Sequence, residues 1–137
     1  MIKTVCFSLI AASLLAAAPT AQAGPMDDFR KDFARAVYAG SPEYVHDRNP
    51  QPMLRAVVVL SVKLNESGQV VADVLRTNDE QPEMLARALE TVQRAHVTVP
   101  DAVKPDLARN GFVEAWLFDS DGTFQVKTLA KPQRSGT

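Results

Sequence analysis

The chain has 137 residues, and 15 Lys and Arg stand against 16 Asp and Glu for a formal net charge of −1. Charges of both signs are interleaved, so no basic stripe offers a footprint for a phosphate backbone and no polybasic run offers one for anionic lipid. The single cysteine, Cys6, falls in the N-terminal apolar run, which removes disulfides, thiol catalysis and cysteine–metal sites from whatever follows that run.

Met1-Ile2-Lys3 is a short basic start, Val5 to Ala18 is almost wholly apolar, and Ala21-Gln22-Ala23 has the small-x-small form of a cleavage site. This predicts a signal peptide over 1–23, cut before Gly24, and a periplasmic location. The apolar run is shorter than the ~20 residues that a membrane span needs. The next segment, Pro25 to Gly40, places Met26, Phe29, Phe33, Ala36 and Val37 at spacings of three and four, which predicts an amphipathic helix. Asp27 and Asp28 suit its N-terminus and Gly40 its stop. Ser41 to Pro52 carries Pro42, Pro50 and Pro52 and reads as an extended connector. Within it His46 and Asp47 are adjacent. Adjacent side chains of an extended chain point apart, so a solvated loop is the expectation there.

Residues 52–130 hold the main domain. Arg55 to Leu64 is rich in β-branched residues, and apolar positions on both faces of its first half predict a central strand covered on both sides. Asn65-Glu66-Ser67-Gly68-Gln69 is turn chemistry, and Val70 to Thr77 is a second strand whose looser alternation fits an edge. Asn65-Glu66-Ser67 also matches a glycosylation sequon, which carries little weight inside a hairpin turn. Asn78 with Gln81 predicts a capping box, and Pro82 opens a helix with Met84/Leu85, Ala88/Leu89 and Val92 as its apolar stripe. Arg87, Glu90, Gln93 and Arg94 make its wet face. Val97 to Asn110, broken by Pro100 and Pro105, reads as a returning loop. His96 before it has no evident partner. Gly111 to Phe118 is a third strand, Asp119-Ser120-Asp121-Gly122 a turn, and Thr123 to Leu129 a fourth strand. The turn looks like the start of a calcium loop, but Ala130 stands where the bidentate glutamate belongs and Phe124 where a ligand does. Lys131 to Thr137 is read as a polar, disordered tail.

The expected fold is α+β in two layers: a small antiparallel sheet in the order hairpin, helix, hairpin, with one packed helix and an added N-terminal amphipathic helix. Neither a Gly-rich phosphate loop nor a nucleophile elbow is present, and the carboxylates and the two histidines are scattered. Catalysis needs groups that converge in a cleft, so no enzyme, cofactor or metal is expected.

In the order of its elements, from about Pro52 to Leu129, the chain resembles the C-terminal domain of TonB-type energy transducers, the TonB/TolA class of periplasmic modules. The resemblance rests on the strand Val57 to Leu64 and on the Glu66-Ser67-Gly68-Gln69-Val70 turn, where the family has D-x-x-G-x-V. It continues with Ala88 and Val92 in the helix and with Leu117-Phe118 and Asp121-Gly122-Thr123 in the closing hairpin. The chain departs from the family in having Val45 after Tyr44 where a proline is common, and His96-Val97-Thr98-Val99-Pro100 where an aromatic motif ends the helix. The family's transducers also carry a membrane helix and a long Pro-rich spacer, whereas a cleavable leader and a short connector are expected here.

The resemblance implies a module that binds an envelope protein, such as an outer-membrane receptor in TonB-type transport, by adding a partner segment to the edge of the last main strand. Carried over, that edge is Phe112, Val113, Glu114, Ala115, Trp116, Leu117 and Phe118. If Thr123 to Leu129 folds back on it, the edge is filled. The alternative is a stand-alone structural or assembly protein of the envelope with a self-closed sheet. In that reading the Phe29/Phe33/Val37 helix covers the second sheet face, or exchanges between copies to make a homodimer.

Overall fold

A computed structural model describes residues 24–132, so the expected leader and the last residues of the tail, 133–137, lie outside the described residues. The elements run α1 (Pro25–Gly40), a 3₁₀ turn (Pro42–Tyr44), β1 (Ala56–Leu64), β2 (Val70–Arg76), α2 (Pro82–Arg94), α3 (Lys104–Arg109), β3 (Phe112–Phe118), β4 (Phe124–Val126) and a second 3₁₀ turn (Lys127–Leu129). The four strands form one antiparallel sheet in the order β2-β1-β3-β4. The fold is α+β, as the periodicities predict.

One face of the sheet carries the core. Val58, Leu60 and Val62 of β1 lie opposite Trp116, Glu114 and Phe112 of β3, and all of these side chains are buried. The other face is not covered. Val57 and Val59 are only half-buried and Val113 is 50% exposed, so β1 is central in the sheet but packed on one side alone. The helices explain this. The rings of Phe29 and Phe33 in α1 meet Phe112 edge-on at centroid distances of 6.0 and 5.5 Å. In α2, Thr91 accepts the indole N–H of Trp116 at 2.9 Å. Phe112 and Trp116 share a sheet face, so α1 and α2 sit side by side on it, and α1 does not close the second face. Gly40 permits the approach of their ends, since a Cβ there would lie 2.5 Å from Arg94 O.

Several local expectations change for identifiable reasons. In α2 the inward residues are Met84, Ala88, Thr91 and Val92, while Leu85 and Leu89 are half-buried at the rim. The capping box does not form. Gln81 is the N-cap without a side-chain bond, and the Asn78 carboxamide instead accepts the Val57 backbone N–H at 3.0 Å. The returning loop contains α3, because Pro105 lies in a first turn, where its missing N–H costs nothing, and Leu107 anchors it in the core. The fourth strand is only Phe124–Val126, after which the chain turns through Lys127–Leu129. Lys131 is fastened rather than loose, with its N–H donating to Gln125 Oε1 at 3.0 Å and its Nζ to Asp47 O at 2.7 Å.

Tyr38 joins α1 to β4. Its hydroxyl oxygen accepts the Val126 N–H at 3.0 Å, and its ring lies edge-on to Phe124. Burial pushes the phenol up to about 12, against a smaller opposing effect of the Val126 bond and a small upward one from Glu114. The folded state therefore binds this proton more tightly than the unfolded chain. The associated stability is complete below the unfolded value near 10 and is lost as pH rises from there through about 12. Spectrophotometric titration of the two tyrosines should show one phenol ionising only near 12, and Tyr38→Phe should remove that late transition.

Candidate functional site at the sheet edges

A sheet edge binds extended chain because its outward N–H and C=O groups are unpaired. The two outer strands here differ sharply in how far those groups are already used. β4 pairs with Trp116, Leu117 and Phe118 of β3, so the C-terminal half of the sequence-predicted edge is interior. In the N-terminal half, side chains take the place of a partner strand. Arg30 Nη2 donates to Val113 O at 3.3 Å, and Glu114 Oε1 accepts the Ala115 N–H at 3.0 Å. Glu114 is itself buried and held from beyond the edge by Thr128, whose hydroxyl donates to Oε2 and whose N–H reaches Oε1 at 3.3 Å. Of the predicted edge residues, Phe112, Glu114, Trp116 and Phe118 point into the core, while Val113 projects from the uncovered face and Ala115 and Leu117 are half-buried there.

The far side of β4 is occupied as well. Residues 45–51 run along it as a strap, with Val45 bridging Phe124 in parallel and the His46 N–H donating to Phe124 O at 2.8 Å. Gln125 Nε2 donates to His46 O at 2.8 Å and to Arg48 O at 2.6 Å. The Gln51 N–H reaches Asp119 Oδ1 at 3.3 Å, and Gln51 Oε1 accepts the Ser120 N–H at 3.1 Å.

His46 is not the solvated loop residue that its neighbours in sequence predict. Its imidazole is 14% exposed, with Nδ1 3.0 Å from Thr123 Oγ1 and Nε2 2.9 Å from Asp119 Oδ2, a carboxylate only 4% exposed. The second contact is within ion-pair range but off-axis, so neither atom completes a well-directed hydrogen bond. Thr123 donates its hydroxyl proton to Asp121 Oδ1 at 2.6 Å, and its N–H reaches the same oxygen at 2.9 Å. The Thr123 hydroxyl holds the Asp121 carboxyl below the usual carboxylate range, aided by the Thr123 backbone N–H and, more weakly, by the charge of His46. Hydroxyl, imidazole and carboxylate thus stand in a row. With the hydroxyl proton committed to Asp121, however, the ring presents a donor to Thr123 rather than a base. Among the described residues, no group of three or more His, Cys, Asp or Glu side chains could hold a metal ion. None of this cluster carries a sequence signal, because Asp119 and Thr123 lie more than 70 positions from His46.

β2 is the open edge. It pairs on one side only, and its C-terminal half is exposed on both faces, with Val74 43% and Leu75 57% accessible between Asp73 and Arg76. At its other end a cleft of about 870 Å³ separates Val70 and Val71 from the end of α2 and the extended stretch 95–99, with Val92, Ala95, Val97 and Val99 in the lining and His96 and Lys104 at the rim. No family model, curated protein or solved structure matches this chain. Among the described residues, no helix is long and apolar enough to cross a membrane.

Proposed function

We propose that this chain is a non-catalytic, protein-binding module of the bacterial cell envelope that takes an extended segment of a partner protein by strand addition at β2. The supporting observation is the contrast between edges. Val113 O, the Ala115 N–H and Phe124 O on the outer sides of β3 and β4 are engaged by Arg30, Glu114 and the strap, whereas among the described residues no strand pairs with the outer side of β2 beside Val74 and Leu75. An unpaired strand edge is a template for pairing, since backbone bonds supply affinity and alternate side chains supply selectivity. In β2 the register shift that sets Arg76 opposite Val59 and Val74 opposite Leu60 leaves Leu75 as an extra residue, so the regular part of the edge is 70–74. Export, and a link to TonB-type transport through an outer-membrane receptor, belong to this reading through the leader and the order of elements. The same filled β3 edge favours a second reading, in which the protein is a self-closed structural component of the envelope.

The experiment is selection of short displayed peptides on residues 24–137, followed by amide NMR titration with those that bind. Strand addition at β2 is expected to shift and protect amides of 70–76. It is also expected to weaken about tenfold or more in Leu75→Lys, since burying a leucine side chain stabilises by ~1.5–3 kcal/mol. Shifts centred on 112–115 would return the site to β3. Selection that yields no binder would favour the self-closed component.

A further inference from the structure

We propose that the cleft beside Val70 is the selectivity pocket for a strand added to β2, and that it takes one aromatic side chain of the partner segment with an acidic residue next to it. The inference rests on strand addition at β2 and says what the added segment must carry. It starts from the direction of the free backbone groups. The Asn65 N–H donates to Gln69 O at 2.9 Å, and bonded pairs alternate along an antiparallel ladder. Lys63 with Val71 and Ser61 with Asp73 are therefore the bonded pairs, so Val70, Ala72 and Val74 turn their N–H and C=O groups outward. The side chains of Val70 and Ala72 pack toward the core. Cross-strand neighbours share a sheet face, so the residue of an added strand opposite Val70 sends its side chain the same way. The cleft of about 870 Å³ lies there.

The far wall of the cleft suits such a side chain. Val92 is buried, and Ala95, Val97 and Val99 are partly buried against the core, so what remains of their surface is an apolar lining. Residues 95–99 are extended, with Ala95, Val97 and Val99 turned inward and His96 and Thr98 exposed. Among the described residues, no hydrogen bond engages the N–H or C=O groups of His96 to Val99. Backbone polar groups call for partners, and an apolar wall edged by a few free polar groups is the make-up of a ligand pocket. An aromatic ring offers such a wall the most area, about 150–250 Å². Charge selects its neighbour. The described residues lining the cleft include no carboxylate, and the ionisable groups at the rim are His96 and Lys104, so an acidic residue is favoured over a basic one. Lys104 Nζ meets Asp101 at 2.8 Å, but that pair is exposed and readily exchanged. The β2 strand of a second copy, Val70 to Arg76, carries no aromatic residue, so the occupant is a segment of another protein.

The test uses the displayed peptides selected on residues 24–137, and single-site variants of the tightest binder. The selected sequences are expected to share one aromatic position with an acidic neighbour. Alanine in place of the aromatic residue should weaken binding about tenfold or more, the scale of one buried aromatic side chain. Lysine in place of the acidic residue should weaken it about threefold at low salt. On the protein, methyl signals of Val92, Val97 and Val99 should shift together with the amides of 70–74. Gln93→Trp adds bulk to the cleft from an exposed position of α2 and leaves the core untouched. It should weaken the aromatic peptide about tenfold and leave the alanine variant of that peptide unaffected. Selected peptides without an aromatic residue overturn the pocket while strand addition stands. So does a peptide that shifts 70–74 without the valine methyls, or one that binds Gln93→Trp as tightly as the unaltered protein. Selection that yields no binder, or shifts centred away from β2, overturns both.

Discussion

Trp116→Ala is expected to lower the unfolding free energy by about 3–5 kcal/mol, a large part of the 5–15 kcal/mol typical of a domain. Trp116 is the largest fully buried side chain, and it stands where the middle of β3 meets α2. Its indole N–H donates to Thr91 Oγ1 at 2.9 Å, and Thr91 in turn donates to Ala88 O at 2.7 Å. Truncation therefore leaves a cavity at the sheet–helix junction and removes the donor that Thr91 was built to accept. The neighbours cannot collapse easily into the space, since Val58 lies across from Trp116 on rigid β1 and Val126 on the other side. Urea unfolding followed by far-ultraviolet circular dichroism checks the value, because the substitution removes the only tryptophan and its fluorescence with it. Thr91→Val separates the two parts of the loss. It keeps the packing but strands the indole N–H, at a cost of about 1–3 kcal/mol.

Gly111→Ala is the second large effect. Gly111 follows α3 and opens β3 with φ +65°, a left-handed backbone that costs an alanine about 1–2 kcal/mol. Space makes it worse. A Cβ there would overlap the Val62 carbonyl oxygen and lie 2.6 Å from Lys63 Cγ, and neither β1 nor the chain leaving α3 is free to retreat. The overlap adds about 1–3 kcal/mol of overpacking. It falls beside the Val62–Phe112 pair, where β3 joins β1, so the register of the whole strand is at stake. Gly68→Ala is the matched control. Its φ is +78°, but a Cβ there meets nothing within 4 Å, so it should show the conformational cost alone. The two midpoints of thermal unfolding, compared side by side, should differ by the overlap. Equal losses would mean that β1 yields at Val62.

The elements with strong periodicity were legible. The alternation in β1 and β3, the loose pattern that marks β2 as an edge, the Phe29/Phe33/Val37 stripe and the α2 helix all follow from side-chain spacing. What spacing cannot express is which of two faces an element will cover. The Phe29 stripe specifies a docking surface, and only the position of Phe112 in three dimensions directs it beside α2 rather than to the bare face. Proline also misleads when read as a breaker, since Pro105 begins α3. The candidate edge was half legible. Phe112 to Phe118 is a strand, but the bonds that occupy its outer side come from Arg30 and from Glu114 folding back on the next residue. The His46 cluster was invisible, because His46, Asp119 and Thr123 become neighbours only after the strap is laid along β4.

The shared face under α1 and α2 also sets the size of the cooperative unit. Phe29 and Phe33 rest on Phe112, a residue some 80 positions later, and Tyr38 caps the backbone of Val126. The helix has no floor until the last strands are in place, and those strands lose much of their cover if the helix departs. The two ends of the described chain thus hold each other through the middle of the sheet, and the unit that folds and unfolds together begins at Pro25 rather than at the hairpin that dominates the sequence.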